Sequence, residues 1–442
     1  MGKIYLKIDL YLKRKGGNLF MSYKTEEIKK SIKLHSIKTE KFKTNIIAVF
    51  LSVPLDKNMI TENALIPAVL RRGTNRMTTQ EEISINLENM YGATFDCGIE
   101  KTGDNQILKF YLEMVNDEFL PKTDKNLQNG LNLLLDIVFN PFTKNNSFDE
   151  DYVNTEKENL RKIIEAKKDN KDRFAYERCI EEMYKNKTYG LYKFGYVEDL
   201  DKIDAKKLYE QYLYLINNAK IDIFVSGNVN EEKTKKIVNL NPQIQLLNGR
   251  TDIHVISNNN KFEKKDVNIV EDKLDVTQGK LVIGTDVDLS KEDAKYKIAI
   301  YNAILGESAT SKLFQNVREK ESLAYTARSN YVRQKGNIYI RCGIEIENYE
   351  KTVKVIKEQL EDMKNGKFTD EDIENAKLYM LAGLKNIREE QDSELTYYFG
   401  QEISGEFTSF EEYEEKIKKV TREDVAEVAN SIRINTIYFL KN

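Results

Sequence analysis

One order of secondary-structure elements is written twice along this 442-residue chain, and that constrains its fold more than any other feature. In the first half, residues 45–53 are rich in β-branched side chains and read as a strand. A helical pattern over 63–72 stops at Gly73. A second, over 79–90, starts at a Thr78 or Thr79 cap and ends near Gly92. Residues 106–115 alternate like a strand with one wet face. Long helices are predicted at 126–139 and 147–168, another at 206–214, and the strand 220–226 closes the half. The second half repeats the order. A strand at 280–284 is followed by helices at 293–305 (ending at Gly306) and 310–320, and then by a strand at 337–345. Helices at 348–364, 370–390, 408–418 and 425–431 precede a last strand at 436–440. The repeat is one of pattern rather than of residue identity. It predicts an α+β fold with two homologous α+β domains, each a mixed or antiparallel sheet flanked by helices. A chain this long exceeds one compact core, so two domains are also the default on size.

The predicted division is an upstream extension at 1–20, a first domain at 21–256, a polar linker at 257–265 and a second domain at 266–442. Residues 15–18 (Lys-Gly-Gly-Asn) are what a purine-rich ribosome-binding sequence would encode if read through, which makes Met21 the expected start. Lys7, Asp9 and Lys13 interrupt the apolar core that a signal peptide requires. No stretch reaches the roughly 20 apolar residues of a membrane helix. With 69 basic against 72 acidic residues the net charge is −3, which gives no overall drive toward nucleic acid or an anionic membrane. The run 261–265 mixes both signs and reads as a solvated face. Cys97, Cys179 and Cys342 form no paired motif, so free buried thiols of a reducing cytoplasm are expected.

Conventional chemistry is scarce. The only histidines are His35 and His254, and neither has a ligand partner at metal-binding spacing in the sequence. There is no H-x-x-E-H motif, no G-x-S-x-G elbow, no Walker loop and no dinucleotide fingerprint, and Gly16-Gly17 is too short to cradle a phosphate. The 25 tyrosines, Tyr397 and Tyr398 among them, read as interface or half-buried packing residues ahead of the lining of a peptide groove.

The segment from Gly306 to Tyr325 is the most informative. A glycine and small residues are followed by Ser311-Lys-Leu-Phe314, Arg318-Glu-Lys320 and Leu323-Ala-Tyr325. In that order these resemble the C-terminal signature of the pitrilysin/insulinase-type zinc peptidases. The resemblance extends from about residue 40 to the end, through Tyr189-Gly190, 206–227, 367–377 and 420–425. Residues 63–74 also resemble a bacterial subgroup named for association with the 5-aminopentanol modification of elongation factor P.

Active members of that family carry H-x-x-E-H shortly before a basic-Gly-Thr turn, which here is Arg72-Gly73-Thr74. By that resemblance the two histidines fall on Ala64 and Ala68 and the glutamate base on Pro67, so this chain is expected to hold no zinc. The family's last zinc ligand comes from a helix with two glutamates seven residues apart, a spacing that Glu158 and Glu165 have. Arg318 and Tyr325 match the arginine–tyrosine pair with which the zinc-free half holds the substrate backbone and the developing oxyanion. The resemblance thus implies half of a clam shell: the non-catalytic subunit of a heterodimeric zinc peptidase, with no cofactor of its own. Its partner would be a homologous subunit carrying H-x-x-E-H and the zinc, its substrate a peptide, and a homodimer could stand in when the chain is isolated. Residues 305–310 do not form the glycine-rich loop of the mitochondrial non-catalytic subunit. The rival expectation is a scaffold or peptide-binding protein of the same fold with no part in catalysis.

Overall fold

The computed structural model describes residues 10–11, 22–248, 266–291 and 293–442. The expected linker 257–265, His254, Met21 and all but two residues of the expected extension 1–20 lie outside the described residues.

Among these residues the first sheet contains β1 (Leu10–Tyr11), β2 (Ser22–Lys29), β3 (Ile32–Lys38), β4 (Thr44–Pro54), β5 (Thr94–Thr102) and β6 (Asn105–Val115). A small hairpin, β7 (Thr143–Lys144) with β8 (Ser147–Phe148), precedes its last strand, β9 (Lys220–Gly227). The order across the sheet is β1-β2-β3-β9-β4-β6-β5. The second sheet contains β10 (Asn268–Lys273), β11 (Gly279–Asp286), β12 (Ala324–Val332), β13 (Asn337–Ile344) and β14 (Arg433–Lys441), in the order β10-β14-β11-β13-β12.

The repeat read from the pattern is a repeat of topology. In the first sheet β3 runs parallel to β9, and β9, β4, β6 and β5 are successively antiparallel. In the second, β10 runs parallel to β14, and β14, β11, β13 and β12 are successively antiparallel. The fold class is α+β with helices flanking each sheet, as the pattern predicted.

Period-two alternation sends the side chains of β4 to opposite faces. Ile47, Val49, Leu51 and Val53 meet the core formed with helices Ile60–Leu70, Asn126–Phe139 and Ala205–Asn218. The other face, with Phe50 and Phe224, is covered by helix Gln391–Ser404, whose Phe399 stacks on Phe50 with ring centroids 3.7 Å apart. Tyr398 stacks on Tyr23 at 4.2 Å, which makes it a packing residue. In the second sheet, Leu281, Ile283, Ile340 and Phe439 face one core. Val282, Tyr339 and Tyr438 face another, which is completed by Phe174, Cys179 and Ile180 of helix Lys171–Met183. Strands covered on both faces become continuous apolar runs, and for this reason residues 45–53 and 280–284 were legible as strands.

The compact units accordingly comprise Met1–Glu165, Lys193–Ile256 and Glu390–Ile403 on one side, and Ala166–Tyr192, Ser257–Glu389 and Ser404–Asn442 on the other. They do not coincide with the contiguous domains expected at 21–256 and 266–442. Each takes a helix from the other half of the sequence.

Most helices lie within a few residues of their predicted places. A capping box settles the start of helix Gln80–Asn89 on Thr79, whose hydroxyl accepts from Glu82 N at 3.2 Å while Glu82 accepts from Thr79 N at 3.1 Å. The helices predicted at 293–305 and 310–320 differ in kind. Helix Ala294–Asn302 continues into a π-helical turn, Ala303–Glu307, and the second element is a π-helix, Phe314–Lys320.

Candidate functional site

Helix Ile60–Leu70 carries Ala64, Pro67 and Ala68. It is buried nearly all round, and buried amides fix its position. Gln106 Nε2 donates to the Ile60 carbonyl at 2.9 Å, and Asn63 Nδ2 donates to Gln106 Oε1 at 3.1 Å. Gln211 Nε2 donates to Asn63 Oδ1 at 2.8 Å. Pro67 lies inside the helix and contributes no N–H. Its carbonyl still accepts from Arg71 N at 3.2 Å and from the Cys97 thiol at 3.3 Å. At Gly73 the chain turns so tightly that a Cβ would lie 2.5 Å from the Thr78 carbonyl oxygen.

Ala64, Pro67 and Ala68 line a cavity of about 340 Å³ within the first unit. Ile99, Leu160, Ile163 and Phe194 add apolar wall, and Arg71, Arg72 and Glu156 are its charged groups. Glu156, 6% exposed, is engaged at both oxygens. Oε1 accepts from Arg72 Nε at 2.5 Å, and Oε2 accepts from Asn159 Nδ2 at 3.1 Å. The guanidinium of Arg71, half-buried, makes no hydrogen bond or ion pair with any described residue. Burial pushes the Cys97 thiol up to about 12, and Arg71 only partly opposes the shift. Cys97 is therefore a neutral thiol at pH 7 and a poor nucleophile.

Glu158 and Glu165 are not brought to this cavity. Both are exposed, and Glu158 accepts from Arg161 at 3.4 Å. Helix Glu150–Glu165 turns Val153, Glu156 and Leu160 inward. The pair seven residues apart that lines the cavity is Glu156 and Ile163, two residues earlier than expected. The signal was the apolar stripe itself: its spacing of three and four places Glu156, not Glu158, on the buried face. The cavity does not fit a zinc ion. Ala64, Pro67, Ala68 and Ile163 offer no side-chain donor, and the one lining carboxylate is tied to Arg72 and Asn159.

The second unit places the arginine and tyrosine of the signature. Gly306 lies so close to β12 that a Cβ would sit 2.6 Å from Ser329 Oγ and 2.7 Å from Ser329 N. Leu313, Val317, Leu323 and Ala324 are core residues, which explains the apolar letters of the motif. Arg318, on π-helix Phe314–Lys320, lies over the Phe314 ring at 4.7 Å and within 3.6 Å of Glu319. Tyr325 is no core residue. It is 61% exposed and sits at a register shift, where Ala324 pairs with Ile344 and Thr326 with Gly343. Such a bulge re-aims one side chain out of the ladder. The Tyr325 hydroxyl donates to Glu345 Oε1 at 2.7 Å, and this hydrogen bond raises its pKa.

A second cluster was invisible in the sequence because its members are far apart in the chain. His35 Nε2 lies 3.0 Å from Asp222 Oδ1, and Glu402 completes a set of donor atoms within 4.8 Å of one another. Lys220 Nζ stands 3.2 Å from Asp222 and 3.3 Å from Glu402, and Lys33 Nζ stands 2.9 Å from Glu402, so lysines already supply the cationic charge. Burial works to raise the Asp222 carboxyl. Lys220 and the His35 hydrogen bond override it and hold the group at about 2. This network fastens helix Gln391–Ser404 to the first sheet.

A sheet built twice, and a buried helix bare of donors where the zinc ligands belong, define a metallopeptidase fold without its metal site. The chain belongs to the M16 family of pitrilysin- and insulinase-type peptidases, as an inactive member. The family profile described as "Peptidase M16 inactive domain" matches residues 202–380. The chain is 34% identical over 424 residues to the "Probable inactive metalloprotease YmfF" of Bacillus subtilis (strain 168), covering 95% of this chain and 99% of that protein. Its fold matches a conserved protein from Enterococcus faecalis V583 with a TM-score of 0.87 at 25% identity, over 95% of this chain and 98% of that one. It also matches the peptidase M16 inactive domain from Pseudomonas fluorescens with a TM-score of 0.77 at 16% identity, over 95% and 98% of the two chains.

Proposed function

We propose that this chain is the non-catalytic subunit of a heterodimeric zinc peptidase. A homologous partner would carry H-x-x-E-H and the zinc, the substrate would be a peptide, and the pair would work in the cytoplasm. In this reading Arg318 and Tyr325 act in trans, binding the substrate backbone and the oxyanion that develops at the partner's metal. The observation that carries it is Tyr325. A bulge turns this phenol out of β12, and among the described residues the Glu345 carboxylate alone bonds its hydroxyl. A hydroxyl so placed is a prepositioned donor, the kind of group that stabilises charge appearing only in the transition state. The lining of Ala64, Pro67 and Ala68 supports the division of labour, because hydrolysis then depends on a metal held elsewhere. No helix among the described residues is long and apolar enough to cross a membrane.

One observation favours the scaffold reading. Arg318 rests on Phe314 beside Glu319, contacts that any surface arginine makes. The two readings part in a zinc-dependent cleavage assay on a quenched peptide library. This chain is assayed alone, then with an H-x-x-E-H-bearing relative from the same genome, with and without Tyr325→Phe. Activity confined to the mixture and cut by Tyr325→Phe supports the shared site. A mixture no better than the partner alone supports the scaffold.

A further inference from the structure

The cavity of the first unit has no metal-donor set, and its lining has a chemistry of its own. Ala64, Ala68, Leu160 and Ile163 make it apolar, while two guanidinium groups, Arg71 and Arg72, line it beside a single carboxylate, Glu156. Arg72 and Asn159 take both oxygens of that carboxylate, so Arg71 keeps an uncompensated charge on the wall. Its influence on the Cys97 thiol places it electrostatically against the same wall. We infer that this cavity receives the C-terminal residue of a peptide, an apolar side chain entering between Ala68 and Ile163 and the terminal carboxylate pairing with Arg71. A volume of about 340 Å³ holds one large side chain and its carboxylate, at the small end of ligand pockets. An arginine fork suits a carboxylate better than any neutral group. A free apolar acid shares this chemistry, so the test must separate it from a peptide end.

The inference rests on reading the first unit as a peptidase site that has lost its metal, and it adds the class of ligand. It is tested on the intact chain alone, with no partner, by fluorescence anisotropy of labelled hexapeptides. One ends in leucine as the free acid, the second is its C-terminal amide, and the third ends in aspartate. The free acid is expected to bind at least tenfold more tightly than the other two. Arg71→Gln should abolish the difference between acid and amide, while Arg71→Lys should keep part of it. Ile163→Glu, at a half-exposed position, should repel the acid at least tenfold without disturbing the fold, as checked by an unchanged melting temperature. Equal affinity for acid and amide, or indifference to Arg71→Gln, overturns the inference. N-acetyl-leucine competing as strongly as the unlabelled hexapeptide overturns the peptide assignment. Tyr325→Phe leaves this binding untouched. Cleavage in the mixture without acid–amide discrimination would thus sink the pocket alone, and discrimination without cleavage would sink the heterodimeric peptidase alone.

Discussion

Tyr325, at the bulge of β12, donates its hydroxyl to Glu345, which lies just past the end of β13, the strand paired with β12. The bond spans the edge of the second sheet and leaves the ring 61% exposed. Tyr325→Phe removes the donor and little else. Turnover by the mixture with a zinc-bearing partner is expected to fall about a hundredfold, the usual cost of deleting an oxyanion donor. The melting temperature of this chain should stay the same.

Restoring the family letters on one helix is not expected to restore the metal. In the combined variant Ala64→His, Pro67→Glu, Ala68→His, the position seven residues after Glu156 is still Ile163, and Glu156 is still bound by Arg72. Metal analysis after dialysis should find well under one zinc per chain. Adding Ile163→Glu should raise the bound zinc. Stoichiometric zinc in the triple variant would contradict the placement of Ile163.

Gly306 has no room for a side chain. Gly306→Ala places a methyl against Ser329 N and Leu313 and is expected to cost about 1–3 kcal/mol. Gly383→Ala, where a Cβ meets nothing within 4 Å, serves as the control in urea denaturation. The control should lose nothing.

Asp222 makes part of the stability depend on pH. Its folded pKa of about 2 lies below the value of about 3.9 in an unfolded chain. Its stabilisation is therefore complete above about pH 4 and is lost as the pH falls through about 2. Asp222→Asn leaves Lys220 buried beside one carboxylate fewer, and is expected to cost about 3 kcal/mol at pH 7. The gap between wild type and variant in urea titrations should narrow from pH 4 toward pH 2. A gap independent of pH would refute the ion pairing.

Phe399→Ala removes the ring stacked on Phe50 and should destabilise the chain by about 3–5 kcal/mol. The test is urea denaturation followed by tyrosine fluorescence.

The sequence was legible where burial is expressed locally. Strands covered on both faces, such as β4 and β11, appear as apolar runs. Caps and glycines punctuate the helices, and the signature from Gly306 to Tyr325 keeps its core letters. It was illegible where partners are remote. β2, β3, β5, β10 and β12 carry polar faces at or near sheet edges and were not predicted. Helices Lys171–Met183 and Gln391–Ser404 went unpredicted too, because their apolar faces answer sheets formed elsewhere in the chain. Glu158 and Glu165 were chosen by spacing alone. Glu156 and Ile163 have the same spacing, and only the stripe begun by Val153 tells the pairs apart. The bulge at Tyr325 is a property of register, which one strand read alone does not reveal.

The exchange of helices bears on synthesis. The first sheet is complete when β9 leaves the ribosome, yet helix Gln391–Ser404, which covers Phe50 and Phe224, is made roughly 180 residues later. At about 5–20 residues per second that interval is on the order of ten seconds or more. Throughout it the nascent chain presents an aromatic sheet face to solvent. A chaperone that shields this face until the helix arrives is expected to raise the yield of folded protein.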